Sequence, residues 1–351
     1  MIPPLKILIL SLMLVACSAD KPPTDSQRRG TPKPELVLER TMKAHTAVPR
    51  ELAFSPDAQT LATSGVDSAV RLWRVDDGAL LRTLKHPEAV ASVAYSPNGQ
   101  WLVSGSYDGG VRVWRVADGT LARTLTGHSG TVWSVAFSAD GERIASSGED
   151  KTIRLWSTAD GAAMRTLTGH TLNVWSVDFS ADGKYLASGS FDHSVRLWDA
   201  RTGDSVRVLA GHDEAVVGIA FSPRGNLLAS GGDDSAIRIW NVENGALVKY
   251  LDAGNHVYKV AFSPDGNYVI SAGRARGSLA TLWHQLTSSR LGNSRPEPLK
   301  LWKWNDSLLV QSITGHTDDV WSVAVSPNAS SVASASADMT VKLWRVRITS
   351  W

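Results

Sequence analysis

The chain has 351 residues, of which 43% are hydrophobic, and a formal net charge of +2 at pH 7. This near-neutral charge, without any acidic or basic block, gives no support for nucleic-acid binding or for a basic membrane-binding patch. No long apolar run follows residue 17, so the remainder is expected to form a soluble body of one large domain or two.

The first residues predict a secretory signal. Lys6 precedes an apolar run over residues 7–16, which is too short to span a membrane, and Cys17 follows it. Residues 14–17, LVAC, resemble the lipobox of bacterial lipoproteins. The alternatives are an ordinary signal peptide with an incidental cysteine, or a start site placed too far upstream.

The lipoprotein resemblance implies that residues 1–16 are removed and that Cys17 carries the lipid. Cys17 is the only cysteine, so no disulfide can form within one chain, and a membrane anchor explains it better than a redox group. The protein is then expected in the cell envelope, on the periplasmic side of the outer membrane if the cell is Gram-negative. Residues 17–34, with four prolines and no large apolar side chain, predict a flexible tether.

From residue 35 onward the sequence repeats. A tryptophan in a short alternating apolar run recurs at intervals of 41, 42, 42, 42, 62 and 42 residues, at Trp73, Trp114, Trp156, Trp198, Trp240, Trp302 and Trp344. In six units a histidine precedes the tryptophan by 28 residues, at His45, His86, His128, His170, His212 and His316. An aspartate lies six residues before it, at Asp67, Asp108, Asp150, Asp192, Asp234 and Asp338, and a hydroxyl ten before it, at Thr63, Ser104, Ser146, Ser188, Ser230 and Ser334.

These units resemble WD40 repeats, as in GHSGTVWSVAFSADGERIASSGEDKTIRLW and GHTLNVWSVDFSADGKYLASGSFDHSVRLWD. The resemblance covers residues 35–351 and implies an all-β, seven-bladed propeller of four-stranded antiparallel blades. Turns such as SADG, SPNG and ADG supply the glycine, asparagine and aspartate that tight connections need.

The resemblance also implies a structural tetrad in each blade. Asp can accept from the imidazole, and the hydroxyl can accept from the indole N–H, so every buried polar group would have a partner. A His–Ser–Asp set also suggests a hydrolase, but its repetition in six blades argues against one active site. The clearest sets are His128, Ser146, Asp150 and Trp156, and His170, Ser188, Asp192 and Trp198.

Unit six departs from the pattern. Gly254 stands in place of the histidine, Pro296 in place of the aspartate, and about 20 extra residues precede Trp302. Trp302 is preferred over Trp283 as the blade tryptophan because the spacing to His316 then matches the other units. Blade six is predicted to be the weakest.

In WD40 propellers the connections between strands d and a and between b and c lie on one face, the top, which commonly binds partners. The residue five after the tetrad histidine usually lies at its central mouth: here Arg50, Ala91, Trp133, Trp175, Val217 and Trp321, with Tyr258 equivalent in blade six. The residue before the tetrad aspartate adds Tyr107 and Phe191. These side chains suit a protein-binding hot spot, although they could merely fill the mouth or stack on sugars.

An insertion at about 274–297 joins strands b and c of blade six and should emerge on the same face. It carries Arg274, Arg276, Trp283 and Arg290. Its leucines and Trp283 recur at helical spacing, which fits a short amphipathic helix, although a loop fits equally. We expect this arm to gate or extend the binding surface.

No catalytic, phosphate-binding or metal-binding pattern is present, since His193, His256 and His284 lack metal-ligand spacing. We therefore expect no enzyme activity and no cofactor. The main interpretation is a monomeric, lipid-anchored scaffold whose top face binds a protein or peptide of unknown identity. The alternatives are a lectin-like binder of envelope polysaccharide and, less favoured, an enzyme with its active site in the mouth.

The last unit lacks a fourth strand, because the chain ends seven residues after Trp344. A segment that resembles a fourth strand, but belongs to none of the other units, lies near the N-terminus. LERTMKAH (residues 38–45) matches the fourth-strand segment LARTLTGH (residues 121–128). The N-terminal strand is therefore predicted to complete the last blade and close the ring, which leaves no open edge.

Overall fold

The computed structural model describes residues 33–275 and 297–349. These residues form seven four-stranded antiparallel sheets, which confirms the predicted seven-bladed propeller. Among them, no helix is long and apolar enough to cross a membrane.

The strands of each blade are named a to d in sheet order, and the a strands of successive blades contact one another around a central channel. Blade 1 contains β2 (Pro49–Phe54), β3 (Thr60–Gly65), β4 (Ala69–Arg74) and β5 (Leu80–Lys85); blade 2 contains β6 (Val90–Tyr95), β7 (Trp101–Ser106), β8 (Val111–Arg115) and β9 (Leu121–Leu125); blade 3 contains β10 (Val132–Phe137), β11 (Arg143–Gly148), β12 (Ile153–Ser157) and β13 (Ala163–Leu167); blade 4 contains β14 (Val174–Phe179), β15 (Tyr185–Ser190), β16 (Val195–Asp199) and β17 (Ser205–Leu209). Blade 5 contains β18 (Val216–Phe221), β19 (Leu227–Gly232), β20 (Ala236–Asn241) and β21 (Leu247–Asp252); blade 6 contains β22 (Val257–Phe262), β23 (Tyr268–Gly273), β24 (Leu299–Lys303) and β25 (Leu308–Ile313); blade 7 contains β26 (Val320–Val325), β27 (Ser331–Ser336), β28 (Val341–Thr349) and β1 (Lys33–Met42). A single-turn 3-10 helix, Trp304–Asp306, joins β24 to β25.

Burial follows the position of each strand in its blade. Strand b, such as β11, is buried along nearly its whole length because neighbouring blades cover both its faces. Strand d, such as β9, is mostly exposed and buries only its last leucine, Leu125. The alternation that identified strands in the sequence therefore weakens in the middle of each blade, where both faces meet apolar neighbours.

Polar side chains join each blade to the next. Ser134 Oγ in β10 accepts a hydrogen bond from Val177 N in β14 at 3.2 Å. On the outer strands, Arg207 in β17 donates to the carbonyl of Glu243 in the c–d turn of the next blade at 3.0 Å. The serine contact recurs between blades 2 and 3 and between blades 4 and 5, and the arginine contact recurs at Arg40, Arg82 and Arg123.

The closing blade has the predicted construction. β1 pairs antiparallel with β28 from Lys33↔Thr349 to Met42↔Val341, and the sheet order is β1-β28-β27-β26. Gln311 in blade 6 ties this strand to its neighbour, because its Oε1 accepts from Leu36 N at 2.8 Å and its Nε2 donates to Leu36 O at 3.1 Å. β1 begins at Lys33, so two residues assigned to the tether also pair in the sheet.

Blade 6 keeps the predicted tryptophan. Trp302 Nε1 donates to Ser271 Oγ at 2.9 Å, as the c-strand tryptophans of the other blades do to their hydroxyls. Gly254, at the position of the missing histidine, adopts φ 70°, which a glycine takes without strain. Trp283 and Pro296 lie outside the described residues.

Candidate partner-binding surface

The tetrads form continuous hydrogen-bonded chains inside the blades. In blade 4, Trp198 Nε1 donates to Ser188 Oγ at 2.9 Å, and Ser188 Oγ lies 2.7 Å from His170 Nε2. His170 Nδ1 lies 2.8 Å from Asp192 Oδ2, an acceptor, so the imidazole carries its proton on Nδ1. Blades 1, 3, 5 and 7 repeat this arrangement through His45, His128, His212 and His316.

Blade 2 differs from the expected pattern. His86 Nδ1 donates to the backbone carbonyl of Leu84 at 3.1 Å, and Asp108 instead accepts two hydrogen bonds from Arg112, at 3.1 and 2.6 Å. In the five complete blades, the N–H of the residue after the histidine also donates to the tetrad aspartate. Blade 2 has Pro87 at that position, and proline has no N–H to hold the carboxylate beside the imidazole.

The surroundings of Asp192 and His86 both lower the pKa of the group. Burial alone would raise the pKa of Asp192, but hydrogen bonds from His170, Ser194 and Thr171 N hold it well below its usual range. Burial lowers the pKa of His86 to about 4, so this imidazole is neutral near pH 7. The histidine side chains of the five complete tetrads are at most 1% exposed, so a substrate cannot reach them, and their role is structural.

The six positions five residues after a tetrad histidine, and the equivalent Tyr258 of blade 6, meet at one place in the closed ring. All of them line the pocket at the mouth of the channel: Arg50, Ala91, Trp133, Trp175, Val217, Tyr258 and Trp321. The pocket has room for only about 40 Å³, because the side chains nearly fill it. The mouth is therefore a shallow surface and not a deep cleft.

The aromatic side chains of the mouth form two separate stacks. Trp133 and Trp175 stack with ring centroids 4.3 Å apart, and Tyr107 and Phe191 extend this stack at 5.4 and 4.9 Å. Trp133 and Trp175 are only partly buried, so part of each ring faces solvent.

The second stack lies across the mouth from the first. Tyr258 and Trp321 stack at 4.5 Å, and the Arg50 guanidinium lies 4.4 Å from the Trp321 ring centroid. These side chains are also partly buried. The small side chains of Ala91 and Val217 separate the two stacks on either side of the ring. The predicted aromatics therefore pack on their neighbours and also remain partly open to solvent.

Two of these tryptophans have unpaired indole groups. Trp133 Nε1 and Trp321 Nε1 are buried and have no hydrogen-bond acceptor within the described part of the chain. In contrast, the seven c-strand tryptophans all donate to a serine or threonine hydroxyl. An unpaired buried N–H typically costs about 1–3 kcal/mol.

An ion pair lies at the bottom of the mouth, and it was not predicted from the sequence. Lys259 Nζ lies 3.1 Å from Glu51 Oε1, which also accepts from Ser322 Oγ at 3.0 Å. The pair joins blades 6 and 1, which are separated by blade 7 in the ring. A signal was present in the sequence, because the residue six after the tetrad histidine is serine or glycine in the other five blades.

A groove leads outward from the mouth between blades 4 and 5. Phe191 and the exposed Leu172 form its apolar wall, and Asp213, Glu214 and Asp233 form its acidic wall. Phe191 connects the groove to the mouth through its contact with the Trp175 ring.

Of the predicted insertion arm, only residues 274, 275 and 297 are described. Arg274 N donates to His256 O at 3.0 Å, and Ala275 N donates to Asp319 Oδ1 at 2.9 Å, which directs the chain out near the mouth. Arg276, Trp283 and Arg290 lie outside the described residues, as do Cys17 and the signal segment. Within the described ranges, no group of three or more His, Cys, Asp or Glu could hold a metal ion.

Comparisons with known proteins support the repeats. A model of the WD domain, G-beta repeat (WD40), matches residues 203–241, 246–283 and 307–345. A model described as the second beta-propeller of echinoderm microtubule-associated protein matches residues 51–212. The chain therefore contains WD40 repeats, as its resemblance implied, and WD40 propellers typically serve as protein-interaction scaffolds.

Two curated relatives match over short stretches. Eukaryotic translation initiation factor 3 subunit I from Vanderwaltozyma polyspora is 27% identical over 89 residues, or 25% of this chain and 20% of the relative. Anaphase-promoting complex subunit cdc20 from Dictyostelium discoideum is 39% identical over 67 residues, or 19% of this chain and 13% of the relative. The matched part spans a fifth or less of either relative, so the similarity concerns the repeats.

Proposed function

We propose that this WD40-repeat propeller is a non-enzymatic scaffold that binds a protein or peptide at the mouth of its top face. The observation that carries the proposal is the convergence of Trp133, Trp175, Tyr258, Trp321 and Arg50 on one shallow, partly exposed surface. Tryptophan, tyrosine and arginine are the residues that contribute most binding energy in protein interfaces.

The shape of the mouth favours a protein partner over a sugar or a substrate. The rings stack on one another at 4.3 and 4.5 Å, so much of each flat face is already covered and cannot stack on a sugar. A pocket of about 40 Å³ is far smaller than the roughly 300–1,000 Å³ of typical small-molecule sites. A flat aromatic surface instead matches the extended contact that a peptide makes.

The surroundings of the mouth support a partner with particular polar groups. Acceptor oxygens, such as peptide carbonyls, would pair with the unpaired indole N–H groups of Trp133 and Trp321 after a small rearrangement. In the adjoining groove, the exposed carboxylates of Asp213 and Glu214 form no ion pair within the described residues, which favours a basic residue in the partner.

Replacing Trp133 and Trp321 together by alanine is expected to weaken partner capture by about 30-fold or more, because even one hot-spot residue typically contributes about 2 kcal/mol and hot-spot contributions do not simply add. The measurement is capture of proteins from detergent-solubilised envelopes of the source organism by the purified full chain, followed by titration of the captured protein against wild type and variant.

The matched control is Trp101→Ala, which removes a partly exposed tryptophan on β7 that lies outside the mouth. Capture should survive this change. Equal capture by the Trp133/Trp321 variant would contradict the proposal. Retention on isolated cell-wall glycan, with no protein recovered, would favour the lectin-like alternative.

The proposed scaffold is lipid-anchored outside the cytoplasm, a proposal that rests on residues 14–17 and the tether composition. We expect the wild-type chain to sediment with membranes and Cys17→Ser to appear in the soluble fraction. Identical fractionation of the two chains would contradict the anchor but would leave the mouth proposal intact.

A further inference from the structure

The lower channel contains a carboxylate, Asp178, at a position where the other blades have alanine. The residues eight positions after the tetrad histidine, and the equivalent residue in blade 6, all line this channel, and six of the seven are alanine: Ala53, Ala94, Ala136, Ala220, Ala261 and Ala324. The seventh, in blade 4, is Asp178. A charged group therefore stands alone in a ring that is otherwise made of methyl groups.

The channel around Asp178 has the dimensions of a ligand site. Its volume is about 410 Å³, within the roughly 300–1,000 Å³ range of small-molecule pockets. Beside the alanines, its lining includes the residues Tyr95, Phe137, Phe221 and Phe262, together with the Glu51–Lys259 ion pair. A mostly apolar wall with a few fixed polar groups is the usual composition of a small-molecule site.

The Asp178 carboxylate is held in place but not neutralised. Its Oδ2 accepts from Phe221 N in the next blade at 2.8 Å, which fixes its orientation. No lysine or arginine of the described residues forms an ion pair with it. The nearest cation, Lys259, attracts it at longer range, but the Lys259 ammonium is paired with Glu51 at 3.1 Å.

From this geometry we propose that the lower channel binds a small organic cation, a primary ammonium on a short apolar body, with Asp178 as its counter-ion. The ammonium would pair with the carboxylate, and the alkyl body would lie against the alanine-rich wall. The Glu51–Lys259 pair lines both this site and the mouth, but the site does not depend on the partner proposed for the mouth.

The protonation of Asp178 is consistent with a missing counter-ion. Burial raises the pKa of Asp178 to about 6, because a carboxylate in an apolar wall is poorly solvated, although hydrogen bonds and Lys259 partly oppose this. A bound cation favours the ionised form. Ammonium affinity is therefore expected to increase as the pH rises through about 6, and ligand binding should lower the pKa of Asp178.

The test uses the purified full chain with n-pentylammonium as probe and 1-pentanol as its neutral counterpart. Calorimetry at pH 7 is expected to show saturable binding of the amine and about tenfold or greater weakening in Asp178→Asn, since a charge-assisted hydrogen bond contributes roughly 1.5–3 kcal/mol. The asparagine keeps an acceptor for Phe221 N, so urea unfolding should show that the propeller remains folded.

A second measurement works on the wild-type chain alone. The carbon NMR signal of the Asp178 carboxyl group should titrate at lower pH when n-pentylammonium is present, and 1-pentanol should not shift it. The proposal is overturned if the amine does not bind saturably, if Asp178→Asn binds it equally well, or if the titration of Asp178 is unchanged. In those cases Asp178 serves only to join blades 4 and 5 through Phe221 N.

Discussion

Deleting residues 35–42 is expected to destabilise the whole propeller and not only its last blade. The deletion removes most of β1, which pairs with β28 and buries Leu36 and Met42. Without β1 the outer edge of β28 is unpaired, and the contact between blades 6 and 7 through Gln311 is lost. Thermal and urea unfolding should show a large loss of stability or no cooperative transition.

Smaller changes test the same closure without removing a strand. Leu36→Ala, at a side chain that is 4% exposed, should cost about 2–5 kcal/mol. Gln311→Ala leaves the Leu36 backbone groups without their partners and should cost about 1–3 kcal/mol. Both values can be measured from the shift in the urea unfolding midpoint.

The control is removal of residues 18–32, which the sequence assigns to the tether and which precede β1. This variant should unfold like wild type. A synthetic peptide of residues 33–42 should restore stability to the chain that lacks 35–42, because it can add back as an edge strand. A deletion variant with wild-type unfolding would show that the ring does not depend on this strand.

Ser188→Ala is expected to cost about 2–4 kcal/mol, more than the same substitution at Ser271. Ser188 Oγ has two partners, Trp198 Nε1 and His170 Nε2, and both would be left unpaired inside blade 4. Among the described residues, Ser271 Oγ in blade 6 accepts only from Trp302 Nε1, because Gly254 replaces the histidine. Ser271→Ala should therefore cost about 1–2 kcal/mol.

The two serines make a matched pair, because both are buried on the b strand of their blades and both lose the same atom. The free energy of unfolding of each variant, from urea titration, gives the comparison. Equal costs, or a larger cost at Ser271, would show that the His170 hydrogen bond contributes nothing to stability. The prediction that blade 6 is the weakest remains a prediction.

Much of the fold could be predicted because the repeat fixes it locally. The constant offsets among His170, Ser188, Asp192 and Trp198 reflect hydrogen bonds within one blade, and such bonds need residues at fixed positions along adjacent strands. The exception in blade 2 also had a local signal, since Pro87 lacks the N–H that holds the aspartate elsewhere.

The sequence by itself determined the seven blades, the tetrad positions and the use of the N-terminal strand to close the ring, because each follows from matching one unit with another. Only the tertiary structure decided which charges meet across the channel, such as Glu51 with Lys259, and that Asp178 has no ion-pair partner within the described residues. The division of the mouth aromatics into two stacks was also decided only by the tertiary structure. The physical reason is that these contacts join blades far apart in the chain, so their geometry exists only once the ring has closed.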